Sequence, residues 1–278
     1  MRVLGITLVL AFALMLPAAT LPDPSPAEIQ QIIQRFAAKE SEFAKARESY
    51  IYKQATRMHE FDSGRSRIIG RFEMNADWAF AEGKRVERVT WAPPNSLKNL
   101  LLEPEDLEDM RNTLPFVLTL EELDQYQVDY LGHEQVDEVP CYVFSIKPKV
   151  IRRGQRYFSG IAWVDDTDLQ IVKTYGRPMG IKRNANSQYP KFETYREQID
   201  GKYWFPTYTS SEDTLVFENS TVPIKLTIRY QDYKRFGAES AITFGEVVDE
   251  KKPDDKTGTK PDTNPSIEPP KPPSPPQP

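Results

Sequence analysis

Residues 138–176 hold three consecutive runs in which side chains alternate between two faces. In the first, Val139, Cys141, Val143 and Ser145 leave one face of an extended strand and Tyr142, Phe144 and Ile146 the other, because successive strand side chains point to opposite sides. Both faces are therefore expected to be covered. In the second run, 157–164, Tyr157, Ile161 and Trp163 oppose Phe158, Gly160, Ala162 and Val164. Large residues backed by mostly small ones mark a strand that curves around something. The third run follows Asp165-Asp166-Thr167-Asp168, whose short carboxylates can accept from backbone N–H groups two residues on and hold a tight turn. Leu169, Ile171 and Tyr175 are then expected to share a face.

A period of two also governs 48–60, 65–76 and 84–91, with Asp62-Ser63-Gly64 and Glu82-Gly83 supplying turns between them, the order of a meander. Pro93-Pro94 ends it. Residues 97–114 read as a connecting segment with a short acidic helix from Pro104, and Leu100, Leu101, Leu102, Leu107 and Met110 give it an apolar side. Such a segment must rest on an apolar surface. A second short cover over 116–123 leads to a strand at 127–136, which enters the central unit through Asp137-Glu138. The Gly-, Pro- and Asn-rich stretch 176–190 predicts an exposed loop. Strands at 192–199 and 202–210 flank Asp200-Gly201, a strong hairpin signal, and 215–218 and 224–236 complete the sheet. In the last of these Ile224, Leu226, Ile228 and Tyr230 alternate with Lys225, Thr227, Arg229 and Gln231, a strand with one wet face. Helical spacing governs one long stretch near the start. Ser25 stands as N-cap, Pro26 at the first helical position and Glu28 closes a capping box, before Ile29, Ile32, Ile33, Phe36 and Ala37. This helix is expected to cover the sheet. The fold class is mainly β within α+β, with roughly ten strands and one long helix.

Both ends differ from this middle. Residues 1–20 have a charged start at Arg2, an apolar run from Val3 to Leu16 and small residues at Ala18 to Thr20. The run falls short of the about 20 apolar residues of a membrane-spanning helix and predicts a secretory signal peptide. The mature chain is therefore expected in the periplasm, or secreted, with no transmembrane span. Residues 249–278 hold ten of the 24 prolines and almost nothing apolar beyond Ile267, the composition of a disordered tail. One domain, 25–248, lies between. The lone Cys141 has no internal partner and is expected to be buried as a small apolar residue.

A formal net charge of −5 argues against nucleic acid as partner. The only histidines, His59 and His133, show no metal-binding spacing, and neither GxSxG nor a phosphate-binding glycine loop occurs, so no cofactor, metal or catalytic residue is expected. Asp165, Asp166 and Asp168 lack the glycine and terminal glutamate of a calcium loop, which leaves them turn chemistry. Glu103, Glu105, Asp106, Glu108 and Asp109 read as a solvated helix face or as bait for a cationic partner. Arg152, Arg153 and Arg156 read as a soluble hairpin tip, or as forks able to meet lipid phosphate.

The leader-like start, the amphipathic helix, the long meander interrupted by helical covers and the hairpin GIAWVDDTDLQIVKT together resemble the LolA-like family of lipoprotein-sorting and lipoprotein-carrier proteins. The motif is Trp163-Val164-Asp165, an acidic turn and the strand from Asp168-Leu169 to Lys173, and the resemblance spans about 25–240. It implies a curved antiparallel sheet shaped as a half-open barrel with short lid helices, holding acyl chains in an apolar concavity. Independently, a single curved sheet must fill its hollow or leave it for a ligand, and the aromatic supply is large. Trp78, Phe80, Trp91, Tyr142, Phe144, Phe158, Trp163, Trp204 and Tyr208 are the candidates for the lining. Burying about fourteen methylenes at about 0.8 kcal/mol each would supply on the order of 10 kcal/mol, before the cost of ordering the ligand. The expectation is a non-enzymatic carrier of a lipid or of lipoprotein acyl chains. Its rivals are an envelope stress-sensing module of the same fold that binds a partner protein, and an envelope hydrolase.

Overall fold

In the computed structural model, residues 23–81, 84–152, 154–180 and 190–236 are described. The leader at 1–20 and the tail at 249–278 lie outside them. Ten strands form one antiparallel sheet: β1 (Tyr50–Phe61), β2 (Ile68–Ala81), β3 (Lys84–Trp91), β4 (Tyr126–Val136), β5 (Val139–Pro148), β6 (Tyr157–Asp165), β7 (Ile171–Met179), β8 (Phe192–Ile199), β9 (Tyr203–Val216) and β10 (Thr221–Arg235). Their order is β3-β2-β1-β10-β9-β8-β7-β6-β5-β4, so the sheet is open, with β3 and β4 as its edges. Every step joins sequence neighbours except the seam where β10 returns beside β1, pairing Tyr50 with Arg235 and Glu60 with Ile224.

Helix α1 (Pro26–Arg47) starts as its sequence dictates, with Ser25 and Glu28 exchanging the hydrogen bonds of a capping box. It buries Ile32, Ile33, Phe36, Ala37, Glu40 and Phe43, a stripe at helical spacing. Phe36 meets Phe144 of β5 at 5.3 Å between ring centroids, and Phe43 meets Phe205 of β9 at 5.1 Å. Those two rings are about 10 Å apart along a helix axis, whereas β5 and β9 would lie about 19 Å apart in a flat sheet. The sheet closes that difference by curling its inner face around α1.

Alternation assigns the inner face strand by strand. Tyr52, Gln54, Thr56, Met58 and Glu60 of β1 are buried on it, opposite Trp78, Ala76, Met74, Phe72 and Gly70 of β2. From β10 it takes Ile224, Leu226, Ile228 and Tyr230, as the half-buried pattern requires. Three expectations change. The segments expected at 202–210 and 215–218 merge into one continuous strand, β9, which ends at Val216, because β10 pairs with it without a break from Tyr208 to Val216. The exposed loop expected from Gly176 is strand in its first part: β7 runs on to Met179, since Gly176 pairs with both Gly160 and Phe192, and 181–189 lie outside the described residues. An irregularity at Trp163/Val164 lets Val164 pair with Ile171 while Trp163 pairs with Lys173, which puts Ile171 in the core and leaves Tyr175 exposed. Those two do not share a face.

The turns follow their sequences closely. Asp200 and Gly201 hold φ of 57° and 65°, the left-handed pair a two-residue hairpin needs. Asp165 Oδ1 accepts from the N–H groups of Thr167 at 2.7 Å and Asp168 at 3.1 Å, so this carboxylate is engaged in the turn. Cys141 is buried, as expected of a lone thiol.

Between β3 and β4 the chain crosses the inner face as a cover. Ser96 continues the edge of β2 by bonding Arg71, and the chain then passes so close to Gly70 that a Cβ there would lie 2.7 Å from the Leu97 Cα. Buried Glu60 accepts from the N–H groups of Lys98 at 2.7 Å and Asn99 at 3.1 Å. The short helix α2 (Pro104–Glu108) runs into a π-turn over Asp109–Thr113. The far end is tied down by Thr194 Oγ1, which donates to the Leu114 carbonyl at 2.9 Å, and by Arg196, which donates to that of Phe116.

Candidate functional site: an apolar cavity beneath the cover

The cover does not fill the hollow it crosses. A cavity of about 310 Å³ remains between it and the inner face. The sheet supplies Met58 of β1, Ile224 and Leu226 of β10, Leu215 and Ser211 of β9, Phe192 of β8 and Pro178 of β7; the cover supplies Leu100, Leu102, Met110 and Leu114. These sheet positions follow from register: Met58 lies opposite Leu226, Leu226 opposite Ser211, and Gly176 beside Phe192. The apolar side of 97–114 rests on this surface, as its leucines require, while Leu101 turns outward and is 83% exposed at the mouth. The polar lining comes from Asn99, Glu103, Asp106 and Asp109 of the cover and from Ser211, whose hydroxyl donates to the Lys191 carbonyl.

The other part of the hollow is packed solid. Phe116 of the cover stacks on Phe158 of β6 at 4.3 Å, and Phe158 meets Phe192 edge-on at 6.0 Å. Phe158 fits because Gly160 and Gly176 pair beside it: a Cβ on either glycine would lie 2.7 Å from the ring. Beyond it Phe36 and Phe144 close the space under α1. A buried ion pair stands here, Glu40 of α1 with Arg196 of β8, each carboxylate oxygen 3.1 Å from Nη1, and Glu40 also accepts the Ile171 N–H at 3.0 Å. Burial pushes the Glu40 carboxyl up, against the pull of Arg196 and of that N–H. A row of threonines crosses the same face, Thr194 bonding Thr209 at 2.8 Å and Thr209 reaching the Tyr230 hydroxyl at 3.3 Å.

None of the eight aromatic candidates with described side chains is among the residues that line this cavity. Trp78, Tyr142, Phe144 and Phe158 do face inward, but they build the packed region: Trp78 stacks on Tyr52 at 6.0 Å and donates to Gln54, and Tyr142 packs on His133 at 4.4 Å. Trp163 belongs to the opposite face, where its indole N–H donates to Glu134 at 2.7 Å and Lys173 Nζ lies 5.1 Å from its ring. Tyr208 lies beneath Arg229 at 5.1 Å, and Trp91, 44% exposed on edge strand β3, beneath Arg57 at 4.9 Å. Trp204 sits beside the 165–168 turn, with its N–H 3.5 Å from Asp168. The Phe80 side chain lies outside the described residues. The apolar lining falls mostly to leucine, methionine and isoleucine, with Phe192 and Phe217 beside them, and the leucine cluster 100–102 was the sequence signal that pointed to it.

The charged groups are also redistributed. Asp109 is buried and pairs with Arg156 at 3.2 Å, so neither is a free surface charge; Arg153 lies outside the described residues. No described helix is long and apolar enough to cross a membrane.

No protein-family model matches the chain, and no curated protein does. Among solved structures it is similar to a DUF1329 family protein from Desulfovibrio piger, at 15% identity and a TM-score of 0.38 over 75% of this chain and 95% of that one. It is similar to a chain of the Pseudomonas aeruginosa MucA/MucB complex at 9% identity and a TM-score of 0.21, over 76% of this chain and 100% of that one. A LolA superfamily protein from Nitrosomonas europaea is also among the structures it resembles, at 14% identity and a TM-score of 0.30 over 71% of this chain and 93% of that one.

Proposed function

We propose that this protein is a non-enzymatic carrier of the cell envelope that holds a lipid, or an acyl chain of a lipoprotein, in the cavity beneath the cover. One observation carries the reading: an inner sheet face that could have been filled by its own side chains is left hollow, and the hollow is lined by Met58, Leu100, Leu102, Met110, Leu114, Phe192, Leu215, Ile224 and Leu226. A volume of 310 Å³ lies at the lower end of the about 300–1,000 Å³ of ligand sites, which suits one hydrocarbon tail better than a whole lipid. Apolar contact without a demanding polar partner suits reversible loading. The export expected from the leader supplies the setting.

Native mass spectrometry of protein purified from a host envelope tests the proposal. A bound species of lipid mass is expected, and Leu100→Asp, which puts a charge on the underside of the cover, is expected to lose it while the chain stays folded. An empty chain bound stoichiometrically to another protein would favour the regulatory-module reading instead, and turnover of an envelope ester would favour the hydrolase.

A further inference from the structure

Residues 139–164 hold no aspartate or glutamate, in a chain whose formal net charge is −5, yet they hold Lys147, Lys149, Arg152, Arg153 and Arg156. These cations bracket the turn that joins β5 to β6, where Val150 is 65% exposed and Ile151 41%. Both feet of the turn are held. The Lys149 N–H donates to the Gln125 carbonyl at 2.8 Å, and Arg156 pairs with Asp109 of the cover at 3.2 Å. The turn stands at the mouth end of the sheet: β5 leaves at Pro148, β6 enters at Tyr157 opposite the Met179 that ends β7, β8 begins at Phe192 and β9 ends at Val216, so antiparallel order gathers these termini on one rim. Pro178, Phe192 and Leu215 line the cavity from that rim, and two more exposed aliphatics belong to it, Val216 and Leu101.

We propose that this turn docks the protein on a bilayer bearing anionic phospholipid, an inference that goes beyond the carrier reading and does not require it. Val150 and Ile151 enter the interfacial layer. Exposed Lys147 and Arg152 meet the phosphates, and Lys149, whose ammonium holds the Asp124 carbonyl at 2.9 Å, adds charge beside them. Aliphatic side chains flanked by cations combine the two contributions that bind a surface element to lipid, apolar area taken out of water and attraction to an anionic surface. A guanidinium adds a fork that matches two phosphate oxygens. The two aliphatics sit on a turn rather than on a flat sheet face, and a fluid surface receives such a tip without a matching pocket. Docked in this way, the rim that carries Leu101 and the cavity mouth faces the lipid.

Sedimentation with vesicles of phosphatidylcholine, alone or with about one third phosphatidylglycerol, tests this. Binding to the mixed vesicles is expected to exceed binding to the neutral ones at least about tenfold, and to weaken as salt is raised from about 0.05 M to about 0.5 M. Lys147→Gln with Arg152→Gln is expected to cost about tenfold or more, since each cation near an anionic surface is worth about a fivefold change. Val150→Ser with Ile151→Ser is expected to cost at least about fivefold while the thermal melt stays unchanged, because both side chains are exposed. An environment-sensitive dye on Val150→Cys, with the native Cys141 buried, is expected to brighten on the mixed vesicles; the same dye on Lys202→Cys, in the β8–β9 turn at the opposite end, is not. No binding, equal binding to the two vesicles, binding indifferent to both double variants, or a dye response at Lys202→Cys in place of Val150→Cys overturns the docking and leaves the carrier reading untouched. Capture of polyglutamate in preference to the mixed vesicles assigns the turn to an acidic protein and also overturns it. Tip-dependent docking by a chain that takes up no lipid supports this inference and overturns the carrier reading alone.

Discussion

Arg196 reaches three elements from one position on β8: both oxygens of Glu40 on α1 and, through Glu40, the N–H of Ile171 on β7, together with the Phe116 carbonyl of the cover. Its side chain is 1% exposed and that of Glu40 is 0%. Removing one member of such a pair strands the other as a buried charge, so Arg196→Met is expected to cost about 3–5 kcal/mol in urea unfolding. Arg196→Lys is expected to recover only part, since an ammonium cannot fork to a carboxylate and a carbonyl as a guanidinium does. Cys141 makes the second prediction at this scale. Burial first, then the charge of Asp165, pushes its thiol from the ordinary 9.0 up to about 12. The folded chain therefore keeps a proton between those values that the unfolded chain releases, so the thiol's contribution to stability is present below pH 9.0 and is lost as pH rises toward about 12. At pH 8 iodoacetamide is expected to label Cys141 only as urea unfolds the chain; labelling under native conditions at the rate of a free thiol would contradict its placement.

At the scale of the element, β6 and β7 are built around the Gly160–Gly176 pair. A Cβ on Gly160 would lie 2.6 Å from the Gly176 Cα and 2.7 Å from the Phe158 ring, so Gly160→Ala is expected to cost about 1–3 kcal/mol through overpacking. A thermal melt checks it, with Gly64→Ala as the comparison, where a Cβ would meet nothing within 4 Å. Local chemistry of this kind was open to reading: the capping box of α1, the Asp200-Gly201 hairpin and the oily side of 97–114 all follow from short stretches. The lining was legible only in part. Phe158 and Trp163 stand an odd number of positions apart on one uninterrupted strand, so a period of two already places them on opposite faces and they cannot line one hollow together. Size and aromaticity drew attention to the packed region, where large rings fill space, whereas the cavity lies where mostly aliphatic groups, with Phe192 and Phe217, leave room. The irregularity that parts Ile171 from Tyr175 has no local sequence signature, since it depends on how β6 and β7 slide into register.

For the whole molecule, the seam between β1 and β10 decides cooperativity. It joins the first strand to the last, and β10 stands between β1 and β9 with Val222, Ile224, Leu226, Ile228 and Tyr230 all buried. A chain ending before Thr221 is expected to melt without a cooperative near-ultraviolet circular dichroism transition, because β1 to β3 lose their only neighbour on that side. Nothing near Tyr50 announces that Arg235 will lie beside it, which is why a meander was foreseeable and the closure of its ends was not. The stacked Phe116 and Phe158 bear on size selection. They stand behind Phe192 at the inner limit of the hollow, like the end stop of a measuring rod. Cutting Phe192, the lining ring in front of them, back to alanine should deepen the bore as far as that stop, so the preferred tail in a series of chain lengths should shift toward longer members, while the leucines at the entrance stay as they are.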